Sequence, residues 1–248
     1  MNWGFIRNIY IDYGMAIPIQ LNIVTHCHAL ITGSSGTGKS YALIYLLGTL
    51  LQSEFNIVIY FCDFKNSEDF RFMKDYEHYY SGNNCYNGIM SYYNVFTETR
   101  TSDSANTRYI LICDEYPAFI NYLQMKDKQD KTKYANDILS AVSEILMLGR
   151  GTGKGFGIWL ITQRADSTLF SNGSRDNFMV IVGLGKLSKE QKGMVFTGEE
   201  IPDRIYNQGE GILLADGYEI KEVKYPCIKD IYDWKRHILS AIKRNGDA

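Results

Sequence analysis

The sequence runs to 248 residues, 45% of them hydrophobic and 22% charged, with only four prolines. That composition excludes a disordered or collagen-like chain and allows one large α/β domain or two small ones. A formal net charge of −2 excludes a uniformly basic nucleic-acid binder, yet residues 1–124 carry 7 Lys and Arg against 11 Asp and Glu while residues 125–248 carry 19 against 17, so any DNA-contacting surface is local and expected in the second half.

Residues 1–26 read as an N-terminal β-hairpin extension, because FIRNIYIDY and AIPIQLNIV alternate apolar and polar side chains on either side of Gly14 and Met15. From residue 27 the pattern changes. CHALIT (27–32), NIVIYFCD (56–63), YILICDE (109–115), GIWLITQ (157–163) and FMVIVGL (178–184) are nearly continuous apolar runs, the mark of parallel strands covered on both faces. Helical patterns separate them. SYALIYLLGTLLQ occupies 40–52, and NDILSAVSEILML (136–148) places apolar residues at 138, 139, 142, 145, 146 and 148 on one helix face. The alternation predicts an α/β domain over 27–226, with a mostly parallel central sheet, right-handed crossovers and flanking helices. Residues 74–107, polar, aromatic and dotted with glycine, are expected to form a helix-and-loop insertion on the surface. Residues 125–134, MKDKQDKTKY, read as a charged loop. In 227–248, Ile231, Trp234, Ile238 and Ile242 fall at helical spacing, predicting a docked C-terminal helix.

Five cysteines (27, 62, 85, 113 and 227) show no CxxC spacing, and Cys62 and Cys113 lie within apolar strand runs. Buried thiols in a reducing cytoplasm are expected rather than a disulfide framework. MNWGFIRNIY has no long apolar core of a signal peptide, and no apolar run reaches the ~18 residues of a membrane span. The 19 tyrosines and 12 phenylalanines are expected to fill core and surface, with base stacking open to a few.

Three motifs carry chemistry. GSSGTGKS (33–40) meets G-x-x-x-x-G-K-S in full, through Gly33, Gly38, Lys39 and Ser40. Glycines let backbone N–H groups turn inward around phosphate, and a helix beginning at the lysine turns its positive end to the same anion. The expected nucleotide contacts are Gly33, Ser34, Ser35, Gly36, Thr37, Gly38, Lys39 and Ser40, with Lys39 reaching the β- and γ-phosphates and Ser40 binding Mg²⁺. YILICDE ends in Asp114 and Glu115 at a strand's C-terminal end, where ligands sit in open α/β sheets. Asp114 is expected in the Mg²⁺ shell and Glu115 as general base on the attacking water. GIWLITQ ends at Gln163, an amide placed to contact the γ-phosphate or its water.

These parts, in this order, resemble the FtsK/SpoIIIE branch of the FtsK–HerA superfamily of P-loop ATPases. CDFKNSEDF (62–70) is similar to that family's D-P-K segment, with Phe64 where proline is usual, and EILMLGRGTGKGFGIWLITQRAD (144–166) to its G-R and T-Q-R segment. LMLGR, the Arg175-Asp176 pair and the GLGKLS…GMVF run look most like the TcpA-type coupling ATPases of Gram-positive conjugative elements. The resemblance covers roughly residues 8–225. It implies a RecA-like fold and ATP hydrolysis with Mg²⁺ at Lys39, Ser40, Asp114 and Glu115, with Gln163 as sensor. It also implies a homo-oligomeric ring, a hexamer, around double-stranded DNA. Arg150 matches an arginine that acts across the subunit interface on the neighbour's γ-phosphate. The stretch from Arg150 to Gln163 is longer than usual, so Lys154 and Arg175 stay open for that role.

The expected function is thus an ATP-driven DNA translocase, the coupling ATPase of conjugative transfer, cytoplasmic and recruited to the membrane's inner face by a channel or relaxase partner. A phage or plasmid packaging or segregation ATPase, or a nucleotide-switched adaptor, remains the alternative. Neither membrane-spanning helices nor a DNA-reading winged-helix domain is found, so a bare motor is expected, complete or cut from a longer chain. The lysines 126, 128, 131 and 133 are candidate DNA contacts, against a plain solvated loop.

Overall fold

The apolar runs become the strands of one ten-stranded sheet. The structure is a computed structural model and describes residues 1–100, 107–152, 155–164 and 176–246. In chain order the elements are β1 (Asn2–Ile6), α1 (Arg7–Tyr13), β2 (Pro18–Gln20), β3 (Ala29–Gly33), α2 (Lys39–Ser53), β4 (Ile57–Asp63), β5 (Tyr79–Ser81), α3 (Cys85–Thr99), β6 (Arg108–Asp114), α4 (Tyr116–Asp130), α5 (Tyr134–Leu148), β7 (Gly157–Thr162), β8 (Val180–Leu184), α6 (Lys189–Val195), β9 (Glu210–Ala215), β10 (Lys221–Lys224) and α7 (Ile231–Gly246).

The strand order is β2-β1-β10-β9-β8-β3-β7-β6-β4-β5. From β8 to β5 the pairings are parallel. From β8 to β2 they are antiparallel. Helices α2 and α7 cover one face, around a core that includes Trp3, Leu46, Trp159 and Ile238. Helices α3, α4, α5 and α6 cover the other, around Tyr92, Phe119, Ile145 and Phe156. β3, β4, β7 and β8 are buried along their whole length, which is why their sequences show no alternation.

Three expectations change in detail. β1 and β2 do pair antiparallel, but the alternating stretch between them folds as α1. Arg7 turns back to pair with Glu210 at 2.7 Å, Tyr10 stacks on Phe5, and Gly14 at φ 66 ends the helix. The described part of that stretch, residues 74–100, is not a surface insertion. β5 extends the parallel sheet, and α3 packs on it through Ile89, Tyr92 and Phe96, all fully buried. Tyr92 can serve as core because its hydroxyl donates to the carbonyls of Tyr109 and Gly157. Lastly, 125–134 is mostly helix, since α4 continues to Asp130. Asp127 is a cap for α5: its carboxylate accepts from the Thr132 hydroxyl and from the N–H groups of Tyr134 and Ala135. Lys126 and Lys128 therefore stand on a helix rather than in a loop. Cys62 and Cys113 are buried free thiols, as expected.

Candidate active site

The glycine loop joins β3 to α2. Gly36 and Gly38 adopt φ of 79° and 93°, a region that side-chain-bearing residues rarely enter. A Cβ on Gly38 would also stand 3.1 Å from the backbone nitrogen of Gly209. That contact is a brace: the Gly209 N–H donates to Thr37 O at 3.0 Å, tying the loop to the start of β9. The Thr37 hydroxyl closes the loop on Ser34 O at 2.8 Å. Among the described residues no side chain caps α2, so its first N–H groups and its positive end face the loop. Lys39, 9% exposed, donates to Gly33 O at 2.6 Å and Ser34 O at 3.0 Å. Burial lowers its pKa, and Glu115 and Asp114 act against that. Its ammonium is thus aimed at the loop's hollow.

The acidic residues come from two adjacent strand ends. Asp63 and Asp114 are register partners on β4 and β6. Asp63 is fully buried, and its Oδ2 accepts from the Ser67 N–H and the Tyr79 hydroxyl. Asp114 is 7% exposed. Burial, with Glu115 and Asp63 beside it, pushes its carboxyl up to about 7, against the pull of Lys65 and Lys39. Glu115 follows at φ 56, ψ 43, a left-handed conformation that costs a non-glycine residue about 1 kcal/mol. The strained turn ends β6 and starts α4. Glu115 Oε1 meets Lys65 Nζ at 2.8 Å.

Apart from Asp63, which is buried behind it, these groups share one cleft of about 440 Å³, walled by Lys39, Ser40, Asp114, Glu115 and Gln163 among others. Gln163 follows the last residue of β7, and its carbonyl accepts from Gln191 Nε2 on α6 at 3.1 Å. Arg150 lies elsewhere. It is exposed in a turn after α5, and its charge acts on His28 and Cys27 at the start of β3, the strand end opposite the loop. It does not reach the cleft of its own subunit. Lys154 and Arg175 lie outside the described residues. Sequence reasoning missed Lys65, Asp63, Gln208, Ile231 and Lys235 as cleft or cleft-side residues. For Lys65 and Asp63 the signal was present in CDFKNSEDF, beside a strand end.

The residues fit a nucleoside triphosphate with Mg²⁺. Among the described residues no cluster of three or more His, Cys, Asp and Glu can hold a metal alone. Mg²⁺ bound to phosphates needs only one or two protein ligands, and Ser40 and Asp114 line the same cleft. The inward lysine and the glycine hollow could hold the anion.

No known protein-family model matches the chain. It is similar to the FtsK domain-containing protein YdcQ of Bacillus subtilis, 30% identical over 132 residues, which are 52% of this chain and 25% of that protein. In fold it is similar to the cytoplasmic domain of the type VII secretion ATPase EccC of Thermomonospora curvata, with TM-score 0.65 and 16% identity, covering 96% of this chain and 30% of that one. It is also similar to the pCW3 conjugation coupling protein TcpA in its monomer form with ATPγS, with TM-score 0.66 and 17% identity, covering 90% and 67%. The matched stretch thus spans about a quarter of the curated relative. Sequence relative and structural neighbours agree with the motifs: the chain has the P-loop ATPase fold and resembles FtsK/HerA-type ATPases.

Proposed function

We propose that the chain binds ATP with Mg²⁺ in this cleft, hydrolyses it, and uses the cycle to drive DNA, as the coupling ATPase of conjugative transfer. One observation carries the reading: Lys39, Ser40, Asp114, Glu115 and Gln163, from three separate strand ends, line one cleft. The loop N–H groups and Lys39 hold the phosphates. Ser40 and Asp114 would hold the metal, which when bound would supply charge neutralisation at the phosphoryl oxygens. Glu115 takes the proton of the attacking water, and Lys65 keeps its carboxylate oriented beforehand. Gln163 contacts the γ-phosphate end and passes its state to α6 through Gln191.

Arg150, remote from its own cleft, acts on the neighbour's, which requires an oligomer; a ring of six subunits is our reading. The exposed lysines 128, 131 and 133, at the end of α4 and in the turn before α5, are the candidate DNA contacts. Among the described residues no helix is long and apolar enough to cross a membrane. We place the motor in the cytoplasm, brought to the membrane by a channel or relaxase partner. A second reading, a motor that drives a polypeptide, is favoured by the likeness to a secretion ATPase over 96% of the chain. The test is displacement of a triplex-forming oligonucleotide from linear double-stranded DNA. Displacement that needs ATP supports DNA movement. Its absence, with turnover stimulated by polypeptide instead, overturns it for the second reading.

A further inference from the structure

The segment after β10 is tied to α2, the helix that begins at Lys39. The Tyr41 hydroxyl donates to Pro226 O at 3.3 Å and accepts from the Ile228 N–H. Trp234 donates its indole N–H to Ile44 O at 3.0 Å and stacks on Tyr45, the rings 6.2 Å apart and 9° from parallel. It lies over Gly48, where a Cβ would stand 2.2 Å from its ring. Ile238 and Ile242 bury the next turns of α7. This seat brings the first turn of α7 to the cleft. Ile231 and Lys235, one turn apart, belong to its wall.

The cleft's lysines differ in what they already hold. Lys65 is paired with Glu115, and Lys39 spends two donors on loop carbonyls. Lys235 has no ion pair or hydrogen bond among the described residues. Its ammonium lies 5.3 Å from the ring centroid of Phe72, and its half-buried stem is held by the helix. A cation fixed in a cleft but left without a carboxylate raises the local potential for anions.

We propose that Lys235 is a binding residue of this cleft. On this account α7 presents its ammonium to the polyphosphate, so the C-terminal helix completes the nucleotide site of its own subunit. The inference rests on reading the cleft as an ATP site, and the controls separate the two. The experiment is calorimetric binding of Mg²⁺-ATPγS and of Mg²⁺-ADP to the whole chain and to Lys39→Ala, Lys235→Gln and Lys235→Arg. Lys235→Gln is expected to weaken ATPγS about 5–10-fold and ADP less, with the gap shrinking between low and high salt. Lys235→Arg should stay within about twofold, since the charge is kept. If Lys39→Ala loses binding while Lys235→Gln matches the parent, the inference falls and the cleft reading stands. If Lys39→Ala binds as well as the parent, both fall. Equal losses for both nucleotides at every salt, with altered Trp234 emission, would trace the effect to the seat of α7 and overturn the assignment to charge.

Discussion

Replacing Asp114 by asparagine should make the protein more stable and less useful. The carboxyl titrates at about 7 in the fold, against an ordinary 3.8, chiefly because burial penalises its charged form. A raised carboxylate pKa means that the native state holds the proton where the unfolded state has released it. Stability is therefore lost as pH rises from about 3.8 to 7, and the penalty is complete above that range. The difference in pKa corresponds to about 4 kcal/mol at pH 8 and about 2 kcal/mol at pH 5. Asparagine keeps the shape and never ionises. In metal-free buffer, Asp114→Asn should thus gain about 4 kcal/mol over the parent at pH 8 and roughly half of that at pH 5. For a chain of this size that is on the order of 10 °C in Tm at the higher pH. Urea unfolding at both pH values measures it, and Mg²⁺-dependent ATP turnover of the same variant should vanish. An Asn variant that is less stable at pH 8, or whose advantage is the same at both pH values, would refute the reasoning.

Other outcomes follow from the same geometry. Glu115→Gln should bind ATPγS normally and lose turnover about 100-fold or more, read by calorimetry and phosphate release. Arg150→Ala should keep binding and lose turnover, and mixing it with Glu115→Gln subunits should restore activity; a mixture series that never recovers speaks against action in trans. Gly48→Ala should cost about 2 kcal/mol, because the new methyl meets the Trp234 ring 2.2 Å away; urea unfolding followed by Trp emission reads it. Asp127→Ala should remove the cap of α5 and cost about 1 kcal/mol, measured the same way, without changing nucleotide affinity.

The parallel half of the sheet was legible because buried strands write continuous apolar runs, and the phosphate loop because glycines and one lysine are costly to place there by chance. Asp114, Glu115 and Gln163 were legible as polar residues ending such runs. The missed features have physical reasons. Tyr92 and its helix looked polar because hydropathy counts a hydroxyl that the fold satisfies internally. The lysine run at 125–134 hid Asp127, whose capping role depends on where α5 starts. RNIYIDY alternates like a strand, and only tertiary partners, Glu210 for Arg7 and Phe5 for Tyr10, make it a helix. Lys235 could not be read at all, since its place in the cleft comes from Trp234 seating over Gly48, 186 residues away in sequence numbering.

The central claim is that this cleft turns over ATP to move along DNA. Steady-state ATP hydrolysis with and without long double-stranded DNA, with Glu115→Gln as the blank, tests it most directly. The account predicts turnover that DNA stimulates severalfold and that disappears in the blank. Turnover indifferent to DNA, or no greater than that of Glu115→Gln, would contradict it.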